Sequence, residues 1–103
     1  YKIMDDVEPK NLKNLVDNIK KAKSSGIVIL FSKFNLKVSL VIGVTEDLAK
    51  NFDAVKLVKV GVDALGGQGG GGKIYMAQGG GPNIQSINTA LDDIKKEILR
   101  ILL

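Results

Sequence analysis

The stretch "IVILFSKFNLKVSLVIGV", residues 27–44, decides how the chain folds. Ile27 to Lys33 and Leu36 to Val44 are rich in β-branched and apolar residues, with Asn35 in the short break between them. Two such runs so closely spaced predict a β-hairpin, although the break lacks the Asn-Gly pair that marks the tightest turns. In the second run Val38, Leu40 and Ile42 alternate with Ser39, Val41 and Gly43. Successive side chains point to opposite faces and both sets are largely apolar, so this strand is covered on both sides. Helices must supply the cover.

The flanks provide them. Tyr1 to Val7 is a short mixed stretch that fits an edge strand and is closed by Glu8-Pro9. Pro9 suits the first turn of a helix, where its missing N–H is not needed. From Lys10 to Lys23, Leu12, Leu15, Val16, Ile19 and Ala22 recur at three and four, so one stripe faces a core. The other face carries Lys10, Lys13, Lys20, Lys21 and Lys23, relieved mainly by Asp17, and Gly26 stops the helix. Thr45 before Glu46-Asp47 reads as an N-cap opening a short helix to Asn51. Asp53 to Leu65 reads as another helix, although its many valines leave a strand open for part of it. The last helix is expected from about Asn83 to Leu103. Its Ile84, Ile87, Leu91, Ile94, Ile98 and Ile101 step by three and four, the a/d spacing of a coiled coil. Leu99, Leu102 and Leu103 widen that stripe, which favours packing on the domain's own sheet over a homodimer through this helix. The expected architecture is α/β, a mixed sheet covered by helices, with a long C-terminal helix, and residues 1–103 form a single domain.

Composition narrows function by exclusion. The chain has no Cys and no His, which removes thiolate nucleophiles, disulfides, imidazole bases and the usual zinc sites, and its scattered acids form no evident catalytic pair. Its net charge of +4 favours an anionic partner without specifying one. The apolar runs Ile27–Phe31 and Leu40–Val44 fall far short of a membrane span. A soluble fragment of a longer chain, with no membrane partner, is the expectation.

Nine of the twelve glycines lie between Gly66 and Gly81, in "GGQGGGGKIYMAQGGG". An ordered glycine costs roughly 0.5–1 kcal/mol more than alanine, so an ordered run of this kind needs a compensating use. A flexible linker is disfavoured by Ile74, Tyr75 and Met76, residues worth burying. Gly67, Gly69 and Gly72 match a bare GxGxxG, but so dense a run makes that match nearly automatic. Close packing of two elements is one remaining use. The other is a binding surface where backbone N–H groups approach a phosphate or sugar, with Lys73 neutralising charge and Gln68 and Gln78 offering donors and acceptors. The glycine-rich loop is expected at the rim of the sheet, with Lys73 to Gln78 as a brief extended piece.

The glycine stretch resembles the glycine-rich motif in the C-terminal (C-Ala) domain of bacterial alanyl-tRNA synthetases, through the Gly triplet, Lys73 and then Met76-Ala77-Gln78. "VEPKNLKNLVDNIK" (Val7–Lys20) and "KVSLVIGVTEDL" (Lys37–Leu48) are similar to that domain's first helix and central strand, so the resemblance spans nearly the whole chain. It implies a cytoplasmic alanine-tRNA ligase as parent, with ATP and Mg at its aminoacylation site and Zn in its editing domain, all outside this fragment. The fragment itself would carry no catalytic site and no cofactor. It would contact the body of tRNA, alongside other domains of the same synthetase, so that both sites act on one tRNA. The domain is also akin to the accessory domain of DHH-type phosphoesterases, where a His after the glycines helps bind nucleotide; Lys73 stands there in this chain. Ile74-Tyr75 replaces the family's usual Pro-Asp, so that acidic residue is missing, and Tyr75 is free to stack on a base or to pack inward.

The candidate nucleic-acid contacts are therefore Gln68, Gly70, Gly71, Gly72, Lys73, Gln78, Gly79 and Gly80, with Lys10, Lys13 and Lys20 on the first helix and Lys33 and Lys37 at the hairpin extending the field. Recognition of this kind reads shape and backbone more than base sequence. A protein-interaction or dimerisation module acting through the last helix is the alternative.

Overall fold

Residues 27–44 fold as the hairpin that their pattern predicts: β2 (Ile27–Phe34) and β3 (Lys37–Val44) pair antiparallel from Ile27↔Val44 to Phe34↔Lys37. The computed structural model describes residues 1–103. Asn35 and Leu36 form the turn, both with positive φ, 52° and 62°. Positive φ at both central residues is the type I′ geometry that matches the twist of a hairpin. Asn tolerates that conformation, but for Leu it costs roughly 1–2 kcal/mol, and Leu36, 86% exposed, recovers none of it by packing. Leu36→Gly is expected to stabilise the domain by about 0.5–1 kcal/mol after glycine's own entropy is counted, seen as a higher urea midpoint at unchanged m-value.

The hairpin forms the middle of a five-stranded sheet of order β1-β2-β3-β5-β4, with β1 at Lys2–Asp5, β4 at Gly71–Lys73 and β5 at Met76–Gly81. β1 pairs parallel with β2 and the other neighbours are antiparallel, so the sheet is mixed. Helix α1 (Pro9–Ala22) makes the crossover that a parallel β1–β2 pair requires. The glycine stretch lies at the rim, as expected, but is itself strand: Gly71–Lys73 and Met76–Gly81 form the edge hairpin, and Ile74-Tyr75 is its turn rather than part of one extended piece.

β3 is covered on both faces. Leu12 and Val16 of α1 pack on Val28, Leu30 and Val41. The opposite face, including Phe31, Val38, Leu40 and Ile42, packs under α3 (Ala54–Ala64) and α4 (Ile87–Leu102). α3 is helical throughout its valines because Ala54, Leu57, Val58 and Val62 fall on one buried stripe. Asp53 caps it, its carboxylate accepting from the Val55 N–H at 2.9 Å. Thr45 does not cap its helix, α2 (Glu46–Ala49), through its side chain. Its hydroxyl accepts from the Gly26 N–H at 3.0 Å and donates to Asp47, fastening the end of β3 to the start of β2. Hydrogen bonds from Ser25 and then Thr45 hold the Asp47 carboxyl below its usual range.

A short 3-10 turn, Ile84–Ser86, leads into α4. The a/d residues of the last helix are taken up internally: Ile87, Leu91 and Ile94 are buried, and Ile84, Ile98 and Ile101 pack against the same core. Leu99, Leu102 and Leu103 stay exposed. No helix is long and apolar enough to cross a membrane.

Candidate nucleic-acid interface

α1 packs on β2 and β3, with Met76 of β5 against the same cluster. The sheet face beyond it is the floor of a groove of about 940 Å³, lined by Pro9 from α1, Lys37 to Val41 from β3, Gly70 to Gly72 at β4, and Gln78 to Pro82 along β5. Strand alternation fixes what points into it. Val41 packs under α1 while Val38, Leu40 and Ala77 pack on the other face, so Lys37, Ser39 and Gln78 share the groove face. Gly71, paired with Gln78, belongs to the same face. Lys13, one turn along α1 from Pro9, flanks Gly71, Gly72 and Gln78 in an adjoining depression. No acidic residue lines either space.

The glycines of the run divide by what a side chain would meet. A Cβ on Gly67, Gly80 or Gly81 would run into backbone, the carbonyl oxygens of Gly80, Val38 and Leu65 respectively, well inside the 3.0 Å that real Cβ atoms respect. Gly79 would strike Val62 of α3, and Gly66, Gly69, Gly70 and Gly72 have φ between 73° and 147°. Gly71 is different. A Cβ there meets nothing within 4 Å and its φ is not positive, so nothing inside the fold requires glycine at this position.

The sequence candidates are thus partly gathered. Gly70, Gly71, Gly72, Gln78, Gly79, Gly80 and Lys37 line the groove and Lys13 flanks it. Gln68 is exposed in the connection before β4 and does not line it. Lys10 is exposed on α1, one residue beyond Pro9, and is likewise outside the lining. Lys33 pairs with Val38 and so projects from the opposite face of the sheet. Lys20 is engaged elsewhere: its Nζ donates to the Tyr75 carbonyl at 3.1 Å and lies 5.0 Å from the Tyr75 ring. Lys73 approaches the same ring at 5.8 Å, so the two lysines and Tyr75 brace the turn of the edge hairpin. That turn is bonded to the body of the domain, with the Ala54 N–H donating to the Ile74 carbonyl and the Val44 N–H to that of Tyr75, each at 2.9 Å.

Ser39, Pro9 and Pro82 line the groove without having been singled out from sequence. Ser39 had a legible signal, as the one polar position between Val38 and Gly43 in β3. Neither Ser39 nor Gln78 makes an internal side-chain hydrogen bond. The chain has no His or Cys, and nowhere do three or more acidic groups gather.

Comparison with known proteins places this architecture. The chain is 45% identical over 97 residues to an alanine–tRNA ligase of Paramagnetospirillum magneticum and 51% identical over 81 residues to one of Gluconobacter oxydans, covering 94% and 79% of this chain. It spans only about a tenth of their length, 11% and 9%. The crystal structure of the C-Ala domain from Aquifex aeolicus alanyl-tRNA synthetase superposes with a TM-score of 0.87 at 30% identity, covering 93% of this chain and 86% of that one. The family model of the DHHA1 domain matches residues 1–100. With helices, mixed sheet and glycine-rich edge all inside that match, the chain belongs to the DHHA1 domain family, among its C-Ala domains.

Proposed function

We propose that this chain is a single accessory domain of an alanine-tRNA ligase and binds the body of tRNA in its glycine-floored groove, so that aminoacylation and editing sites elsewhere in the parent, a cytoplasmic enzyme, act on one tRNA. The observation that carries this reading is a broad groove on the sheet face, open where Gly71 and Gly80 carry no side chain, with Lys37 in its lining, Lys13 beside it and no acid in either lining. Such a surface accepts a sugar-phosphate backbone at close range while the cations neutralise phosphate. The tRNA ligase relatives and the +4 charge support the same partner.

The test is a titration of the domain with labelled tRNA at several salt concentrations, with a single-stranded RNA and a plain RNA duplex as competitors. Folded tRNA is expected to compete best. Lys13→Ala with Lys37→Ala is expected to weaken binding several-fold and to lower the salt slope by roughly 0.7–0.9 for each phosphate no longer neutralised. An unchanged slope would move the site off this groove.

Self-association through the last helix has less support, since the a/d residues are taken up by the domain's own core and only Leu99, Leu102 and Leu103 remain outside. Sedimentation is expected to show a monomer at micromolar concentration. A dimer abolished by Leu99→Asp with Leu102→Asp would revive the interaction-module reading.

A further inference from the structure

From the side chains of the groove floor we infer that the site reads the ribose 2′-hydroxyl, through Gln78 and Ser39, and so selects RNA over DNA; this rests on the reading of the groove as the tRNA site. Lys37 stands at the start of β3 on the same face as Ser39, and Lys13 flanks the floor from α1, so phosphates on either side of a sugar could be neutralised. The floor carries two neutral groups, the Ser39 hydroxyl and the Gln78 carboxamide, neither engaged within the protein.

Both groups donate and accept, and so does a 2′-hydroxyl. A phosphate only accepts, and a site built for phosphate alone would place further cations or N–H donors on the floor. The register adds a spacing. Ser39 faces Gly80 and Gln78 faces Val41, so Ser39 and Gln78 are diagonal neighbours on adjacent strands, about 7–8 Å apart. That is wide enough to flank one sugar ring. Gly80 lies beside Ser39 and Gly71 beside Gln78, so no neighbouring side chain on β4 or β5 stands between a ribose and the two polar groups. Gly71, which the fold itself does not require to be glycine, opens the approach to Gln78. An extended nucleotide would place its sugar on the floor with phosphates toward the lysines.

The experiment uses tRNA transcripts sparsely and randomly substituted with 2′-deoxynucleotides, separated into bound and free fractions by the domain. The bound fraction is expected to be depleted of deoxy substitution at a short run of neighbouring positions. With Gln78→Met, an exposed change of similar size that removes both hydrogen-bonding functions, and with Ser39→Ala, affinity for all-ribo tRNA is expected to fall about 3- to 10-fold and that depletion to fade. No depletion with the wild-type domain, or the same depletion with the variants, overturns the inference. The two failures stay distinct: an unchanged salt slope in the Lys13/Lys37 variant sinks the groove as the tRNA site, whereas a reduced slope with unresponsive depletion sinks only the ribose contact.

Discussion

Gly80→Ala is expected to destabilise the domain by about 3 kcal/mol or more, at the upper end of what an overpacked site costs, because the added methyl has nowhere to go. Its Cβ would run into the carbonyl oxygen of Val38 in the adjoining strand β3, and the Gly80 carbonyl itself lies where a Cβ on Gly67 would fall. Three backbone segments therefore meet at this point: β3, the end of β5 and the connection after α3. A flexible side chain could swing aside, but a strand carbonyl in register with its partner cannot move without breaking the pairing of Val38 with Gly81 and Ser39 with Gly80. Domains of this size are stable by only about 5–15 kcal/mol, so the effect is a large part of the total. Urea unfolding followed by circular dichroism measures it. A change under about 0.5 kcal/mol, the range of an inert surface site, would mean that β5 slides freely against β3.

The sheet's centre was legible because its two faces carry their own code. Val38, Leu40 and Ile42 on one side and Val41 on the other announce cover on both faces, whichever helices supply it. The coiled-coil spacing of the last helix was ambiguous for a physical reason: a/d spacing and a core-facing stripe share the same periodicity, and only the neighbouring α3 decides between them. The hairpin turn was obscured by Leu36, whose side chain gives no hint of a positive φ.

The glycine edge was the least legible part. Glycines carry no alternation of polar and apolar side chains, so most of β4 and the second half of β5 send no strand signal. Their pairing is imposed from outside, by the exposed edge of β3 and by the anchoring of the Ile74-Tyr75 turn to Ala54 and Val44. The site followed the same division. Residue types pointed to phosphate and sugar, but only the register separates Lys37 from Lys33, and only the folded chain brings Lys20 to Tyr75.

Gly71→Val is expected to yield a domain at least as stable as the original whose tRNA affinity is weaker by about 10- to 100-fold, the equivalent of one or two charge-assisted contacts. At Gly80 the fold itself needs glycine, so a substitution there cannot separate folding from binding. At Gly71 it does not: the Cβ position is open and φ is not positive. Replacing glycine at such a site stabilises by about 0.4–1 kcal/mol through the unfolded chain, and valine adds its preference for strands. The position faces the groove beside Gln78, where a valine would lift a nucleic-acid backbone off the floor and away from Lys13 and Lys37. Unfolding midpoints and tRNA titrations on one preparation give both quantities. A higher midpoint with weakened binding ties the glycine to the ligand, and a higher midpoint with full binding would place the tRNA on another face of the domain.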